Sequence, residues 1–178
     1  NPNMKKIILS IVLTLAISLS AMAEIKRSPN RMGNQLTVTF DCPWNVLCKE
    51  AIRYSPSCPD PDVKLDVYYP DYKPVPCLLM IHGGGWSMGN EKKFAMFAAY
   101  AASRGYVVAC ISYRLLPEFE LEDCIEDCWL ALKWLKQNAA SFGGNPGKIG
   151  VIGGSAGGHL TAMLATAQES QICKKVFA

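Results

Sequence analysis

Two short runs dominate the hydrophobic pattern of the chain. Residues 77–81 (Cys-Leu-Leu-Met-Ile) and 106–112 (Tyr-Val-Val-Ala-Cys-Ile-Ser) are almost wholly apolar and bounded by turn residues, the pattern of strands buried on both faces. Residues 149–152 form the next strand. Between them, residues 92–103 predict a helix. Residues 121–138 predict another, with Leu121, Cys124, Ile125, Cys128, Leu132 and Leu135 on one stripe. A further helix-like stretch covers residues 159–167. Upstream, residues 64–69 alternate and predict an edge-side strand leading into a proline-bounded turn at 70–76. Before that the signal is weak: residues 36–40 alternate as a strand, then Pro43, Pro56, Pro59 and Pro61 break the pattern. Residues 173–178 read as the opening of a sixth strand. Buried strands alternating with helices predict an α/β protein, a mostly parallel sheet with helices on both faces.

Two glycine-rich segments follow these strands. Ile152-Gly153-Gly154-Ser155-Ala156-Gly157-Gly158 lies between the strand at 149–152 and a helix, the strand–turn–helix context of a nucleophile elbow. Such a turn strains the serine backbone, so its neighbours must stay small. It also points Oγ away from the sheet, with a helix N-terminus behind it to favour developing negative charge. Upstream, His82-Gly83-Gly84-Gly85-Trp86 follows the strand at 77–81. Three consecutive glycines let backbone N–H groups converge on one point, as an oxyanion hole requires. Either segment alone is a common turn. Both together, each after a predicted strand and in this order, match the pairing found in lipases and esterases.

On these residues the chain resembles the hormone-sensitive-lipase-like carboxylesterases of the α/β-hydrolase fold, especially the bacterial feruloyl/acetyl-xylan esterase-like branch. The likeness spans roughly residues 62–167 and includes Ser112-Tyr113-Arg114-Leu115, Pro117-Glu118 and His159-Leu160. It implies Ser155 as nucleophile and the N–H groups of Gly84, Gly85 and Ala156 as oxyanion hole. His82 would brace the loop, with Gly83, Gly153 and Gly157 in support, and no cofactor is implied. Gly154 departs from the many relatives that carry aspartate there, which bears on the sub-branch and not on the chemistry.

The family's triad runs Ser, then Asp or Glu, then His along the chain. Only two histidines occur, His82 in the glycine loop and His159 one helical turn past Ser155, where it reads as a packing residue. The only acid after Ser155 is Glu169. Neither triad acid nor base is present, so the chain reads as the N-terminal part of a single α/β-hydrolase domain (residues 24–178), truncated after the nucleophile helix.

Lys5-Lys6, the apolar residues 7–19 and Ala21-Met22-Ala23 have the form of a secretory signal peptide over residues 4–23, with Asn1-Pro2-Asn3 before it. That predicts a secreted or periplasmic protein without a stable membrane anchor. Of 18 basic residues, loss of Lys5 and Lys6 leaves 16 against 15 acidic ones, a net charge of about +1. No basic cluster remains, which argues against nucleic acid as a partner. Among the eight cysteines, Cys42, Cys48 and Cys58 are the best disulfide candidates. Cys77, Cys110, Cys124 and Cys128 read as packed thiols. No spacing suits a metal, and the acidic set Glu118, Glu120, Glu122, Asp123, Glu126 and Asp127 reads as a loop and solvated helix face. Trp86 could line the acyl or alcohol pocket or simply pack. The resemblance, together with the signal-peptide form, implies an ester substrate, small or polysaccharide-linked, such as acetylated or feruloylated hemicellulose. The alternatives are a serine peptidase of the same fold and a hydrolase-fold binding protein without catalysis.

Overall fold

The computed structural model describes residues 25–27, 36–38, 45–71, 74–168 and 170–177. The leader at 4–23, Cys42 and Glu169 lie outside them, so those expectations are not addressed by the structure. Seven strands are described: β1 (Ile25–Arg27), β2 (Leu36–Val38), β3 (Val46–Ile52), β4 (Leu65–Pro70), β5 (Val75–Ile81), β6 (Val107–Ile111) and β7 (Gly144–Gly153). The helices are α1 (Ala95–Ser103), α2 (Leu121–Asn138), α3 (Ala156–Thr166) and α4 (Gln171–Phe177). β1 and β2 form a separate antiparallel pair, which takes in part of the strand expected at 36–40. The other five form one sheet in the order β3-β4-β6-β5-β7. β6, β5 and β7 are parallel, and β4 and β3 extend them antiparallel.

Alternation along the strands sorts side chains into two cores. From β4, β5 and β6, Leu65, Val67, Cys77, Leu79, Ile81, Val107, Ala109 and Ile111 point to one face, where α2 and α3 cover them and α4 packs in turn on α2. Tyr68, Met80, Val108 and Cys110 point to the other, under α1. Ala98, Ala99 and Ala102 are fully buried there, small enough to seat α1 closely on the sheet. All six residues of the predicted α2 stripe belong to the first core, Leu121 at its margin. A capping box starts that helix: Glu120 accepts from the Asp123 backbone, and the Asp123 carboxylate accepts from the Glu120 N–H.

Several expectations need correction. β3 falls where the sequence signal is weak, because five of its seven residues are exposed and only pairing with β4 defines it. β4 is therefore not on the sheet edge. It is flanked by β3 and β6. The predicted helix at 92–103 divides into a 3-10 turn (Glu91–Phe94) and α1. Residues 173–177 do not open a strand. They belong to α4, whose Cys173 and Val176, one turn apart, are buried on the α2 side. Phe177 sets its ring edge-on to Trp129 of α2, 5.9 Å away, and Lys133 donates to the Val176 carbonyl. Cys48 and Cys58 are free thiols, as are Cys77, Cys110, Cys124 and Cys128. Among the described residues no helix is long and apolar enough to cross a membrane, and no cluster of His, Cys, Asp or Glu could hold a metal ion.

Candidate active site

Ser155 sits between β7 and α3 with φ 53° and ψ −120°, a conformation that side-chain-bearing residues rarely adopt. Packing around it leaves little choice. A Cβ on Gly153 would lie 2.2 Å from the Gly157 carbonyl oxygen, and one on Gly157 would lie 2.1 Å from that of Ile81. α3 can therefore approach the end of β5 only through glycine. Gly154 lies under Phe94, where a Cβ would stand 3.3 Å from Cζ, so an aspartate here would require Phe94 to give way slightly.

The same closeness brings the two glycine segments together. A Cβ on Gly83 would lie 3.1 Å from Ser155 Cβ and 2.4 Å from the Gly154 oxygen. The loop then turns through Gly84 (φ 139°), Gly85 (φ 61°) and Trp86 (φ 59°). The Gly84 carbonyl accepts from the Ser87 and Met88 N–H groups at 3.2 and 3.1 Å, closing a tight turn. Among the described residues, the N–H groups of Gly84 and Gly85 donate to nothing. That of Ala156, the first residue of α3, is one of the donors every helix start leaves without an intrahelical acceptor.

His82 is 1% exposed and stacks on Tyr113 with ring centroids 4.3 Å apart. Its Nδ1 lies 3.0 Å from the Gly83 carbonyl oxygen, which can only accept, so Nδ1 carries the proton. Nε2 is buried without a hydrogen-bond partner among the described residues. Tyr113 donates from its hydroxyl to the His82 carbonyl at 2.9 Å. Burial holds the imidazole below its ordinary pKa of 6.5, against the opposing hydrogen bond to Gly83. The unfolded chain binds a proton that folded His82 resists. The stability this contributes is complete above pH 6.5 and is lost as pH falls through the lowered folded value, by up to about 1.4 kcal/mol per pH unit. Denaturant titrations of wild type and His82→Gln between pH 7.5 and 5.5 check this. The wild type should weaken as the pH drops, and the variant should lose most of that slope.

His159 is exposed and meets Trp86 edge-on at 5.5 Å, and Trp86 packs against the main core. Both of these residues therefore make packing contacts beside the serine. Sequence reasoning missed the segment after the loop. Glu91 shares a buried hydrogen bond with Ser112, and Lys93 donates to the Gly83 carbonyl at 3.0 Å. The only signal in the sequence was their nearness to the glycines.

A family model described as BD-FAE matches residues 65–177. The chain belongs to the BD-FAE family. Over 107 residues it is 38% identical to a carboxylesterase, NlhH, of Mycobacterium tuberculosis, an overlap covering 58% of this chain and 34% of that one. It is 38% identical over 112 residues to arylacetamide deacetylase of Bos taurus, covering 58% and 28%. Among solved structures it superposes on esterase B from Lactobacillus rhamnosis with TM-score 0.68 and 34% identity, over 77% of this chain and 44% of that one. A bacterial heroin esterase gives TM-score 0.63 at 35% identity, over 71% and 41%. The fold is thus that of the α/β-hydrolases. The match spans about a third of the curated relatives and under half of the solved ones.

In this BD-FAE chain the end of β6 ties the site to the rest of the fold. Ser112 takes Glu91 and Tyr113 takes His82, while Arg114 takes the first turns of α2. The acidic set expected to be a solvated face is partly internal. Asp127 is fully buried, and Arg114 grips it through Nε and Nη2, each at 2.9 Å. The same guanidinium reaches Asp123 at 2.7 Å and Glu126 at 3.1 Å. Burial pushes the Asp127 carboxyl up and the Arg114 contacts pull it down.

Proposed function

We propose that this chain is the nucleophile-bearing part of a serine carboxylic-ester hydrolase. The observation that carries the reading is Ser155, held at positive φ against a glycine loop whose N–H groups are unengaged. Ser155 Oγ attacks the ester carbonyl carbon, and a histidine base receives its proton. The N–H groups of Gly84, Gly85 and Ala156 donate to the oxyanion. Collapse expels the alcohol, which takes that proton, and water then releases the acid from the acyl-enzyme. The acid and base of the triad come from outside residues 1–178, so these residues alone turn over poorly or not at all.

Substrates with short acyl groups fit the relatives. The esterase B structures include one inhibited by a C4-C4 SN3 tributyrin phosphonate and one described as C6-C4 SN3 inhibited, and the Thermogutta terrifontis esterase holds butyrate or propionate. The finer reading is an exported enzyme that removes acetyl or feruloyl groups from hemicellulose. Its support is the resemblance of the motifs and the signal-peptide form of residues 4–23. The complete protein should be assayed side by side on p-nitrophenyl acetate, acetylated xylan, methyl ferulate and a long-chain triglyceride. Cleavage of the aryl acetate with release of acetate or ferulate is the expected result. Preference for the triglyceride would overturn the hemicellulose assignment, and failure on all four would overturn the esterase reading.

A further inference from the structure

The residues after the glycine loop, Glu91-Lys92-Lys93-Phe94, form a single 3-10 turn, and each side chain reaches a different part of the sheet. Asn90 caps the turn, its side chain accepting from the Lys92 N–H at 3.1 Å. Glu91 is 4% exposed; its carboxylate accepts a hydrogen bond from the Ser112 hydroxyl, and its N–H donates to the same hydroxyl oxygen at 3.0 Å. Lys92 bridges Glu50 of β3 and the fully buried Asp66 of β4, the latter at 2.7 Å. Phe94 covers Gly154. These anchors leave the backbone at position 93 with almost no freedom. Lys93 Nζ lies 3.0 Å from the Gly83 carbonyl oxygen, which is also the acceptor of His82 Nδ1.

That carbonyl belongs to the peptide whose other end is the Gly84 N–H. In a trans peptide the C=O and N–H point in opposite directions. Two donors holding the Gly83 oxygen therefore turn the Gly84 N–H away from His82 and Lys93. At a glycine with φ 139° no side chain resists rotation of this peptide, so an external clamp is what orients it. A charged donor on the oxygen also polarises the amide and makes its N–H a stronger donor.

We propose that Lys93 is a positioning residue of the oxyanion loop, clamping the Gly83 carbonyl so that the Gly84 N–H is held and polarised towards the developing oxyanion. The inference rests on the serine-esterase reading above. It acts through Gly84, so the loss it predicts belongs to the transition state and not to substrate binding.

The test uses the complete protein and three variants, Lys93→Met, Lys93→Arg and Ser155→Ala, with p-nitrophenyl acetate as substrate and an aryl trifluoromethyl ketone as oxyanion-forming inhibitor. Lys93→Met should lower kcat about 10- to 100-fold with KM within about twofold. The inhibition constant of the ketone should rise by the same factor as kcat/KM falls. Arginine at 93 keeps a charged donor and should restore most of the loss. Unchanged kcat in Lys93→Met would overturn the proposal, as would a ketone affinity that stays constant while kcat falls. So would Lys93→Arg as impaired as Lys93→Met. The two readings fail separately: an active Ser155→Ala enzyme refutes the serine mechanism itself, whereas a dead Ser155→Ala beside a fully active Lys93→Met refutes only the role of Lys93.

Discussion

Ser155→Ala in the complete protein should lower kcat/KM for p-nitrophenyl acetate by at least about 10³-fold, with an unchanged melting temperature. The size of the loss follows from the chemistry. Without Oγ no acyl-enzyme forms, and what remains is the stabilisation a water-mediated reaction draws from the oxyanion donors. The unchanged stability follows from the structure. Alanine keeps the Cβ that the elbow already accommodates at φ 53°, and the Ser155 hydroxyl makes no hydrogen bond among the described residues. Steady-state kinetics and thermal unfolding of the same preparations check both parts. Retained turnover would show that another residue is the nucleophile, and a large fall in melting temperature would show that the hydroxyl holds the turn.

Asp127→Ala should cost about 3–5 kcal/mol of stability. Its carboxylate is fully buried and accepts from the Arg114 backbone N–H at 2.8 Å as well as from the guanidinium. Removing it leaves Arg114, itself only 8% exposed, with the two rim carboxylates of Asp123 and Glu126 and an unsatisfied backbone donor. Glu126→Ala should cost only about 1 kcal/mol, because that side chain remains partly in water and its partners Arg114 and Lys175 keep other solvation. Denaturant unfolding of the two variants separates the cases. Equal losses would mean that Arg114 is held by the cluster as a whole and not through Asp127. The distinction matters for the site, because Arg114 directly follows Tyr113, on which His82 stacks.

How much of this was legible beforehand depended on the range of the interactions. The strands at 77–81 and 106–112, the stripe of α2 and the two glycine segments were readable from local pattern alone. A strand buried on both faces must be apolar at every position, a helix covering a sheet must be apolar on one stripe, and a strained turn under close packing must be glycine. Each of these constraints acts on consecutive residues, so each leaves a mark in the sequence. The resemblance to carboxylesterases rested on the same marks, and the family match agrees with it.

The tertiary structure decided the rest. β3 carries exposed residues such as Lys49 and Glu50, and it is a strand because β4 supplies its hydrogen bonds. Residues 171–177 are too few for periodicity to separate helix from strand, and contact with α2 selected the helix. Asp127 looked like one more acid on a charged face until Arg114, thirteen residues earlier, was seen to bury it. Lys93 carries no distinguishing mark in the sequence, and it is β4 and β6 that fix the turn aiming it at Gly83. A charged side chain shows its chemistry in the sequence, but its partner is chosen by the fold, because long-range pairing is set by where the backbones come together.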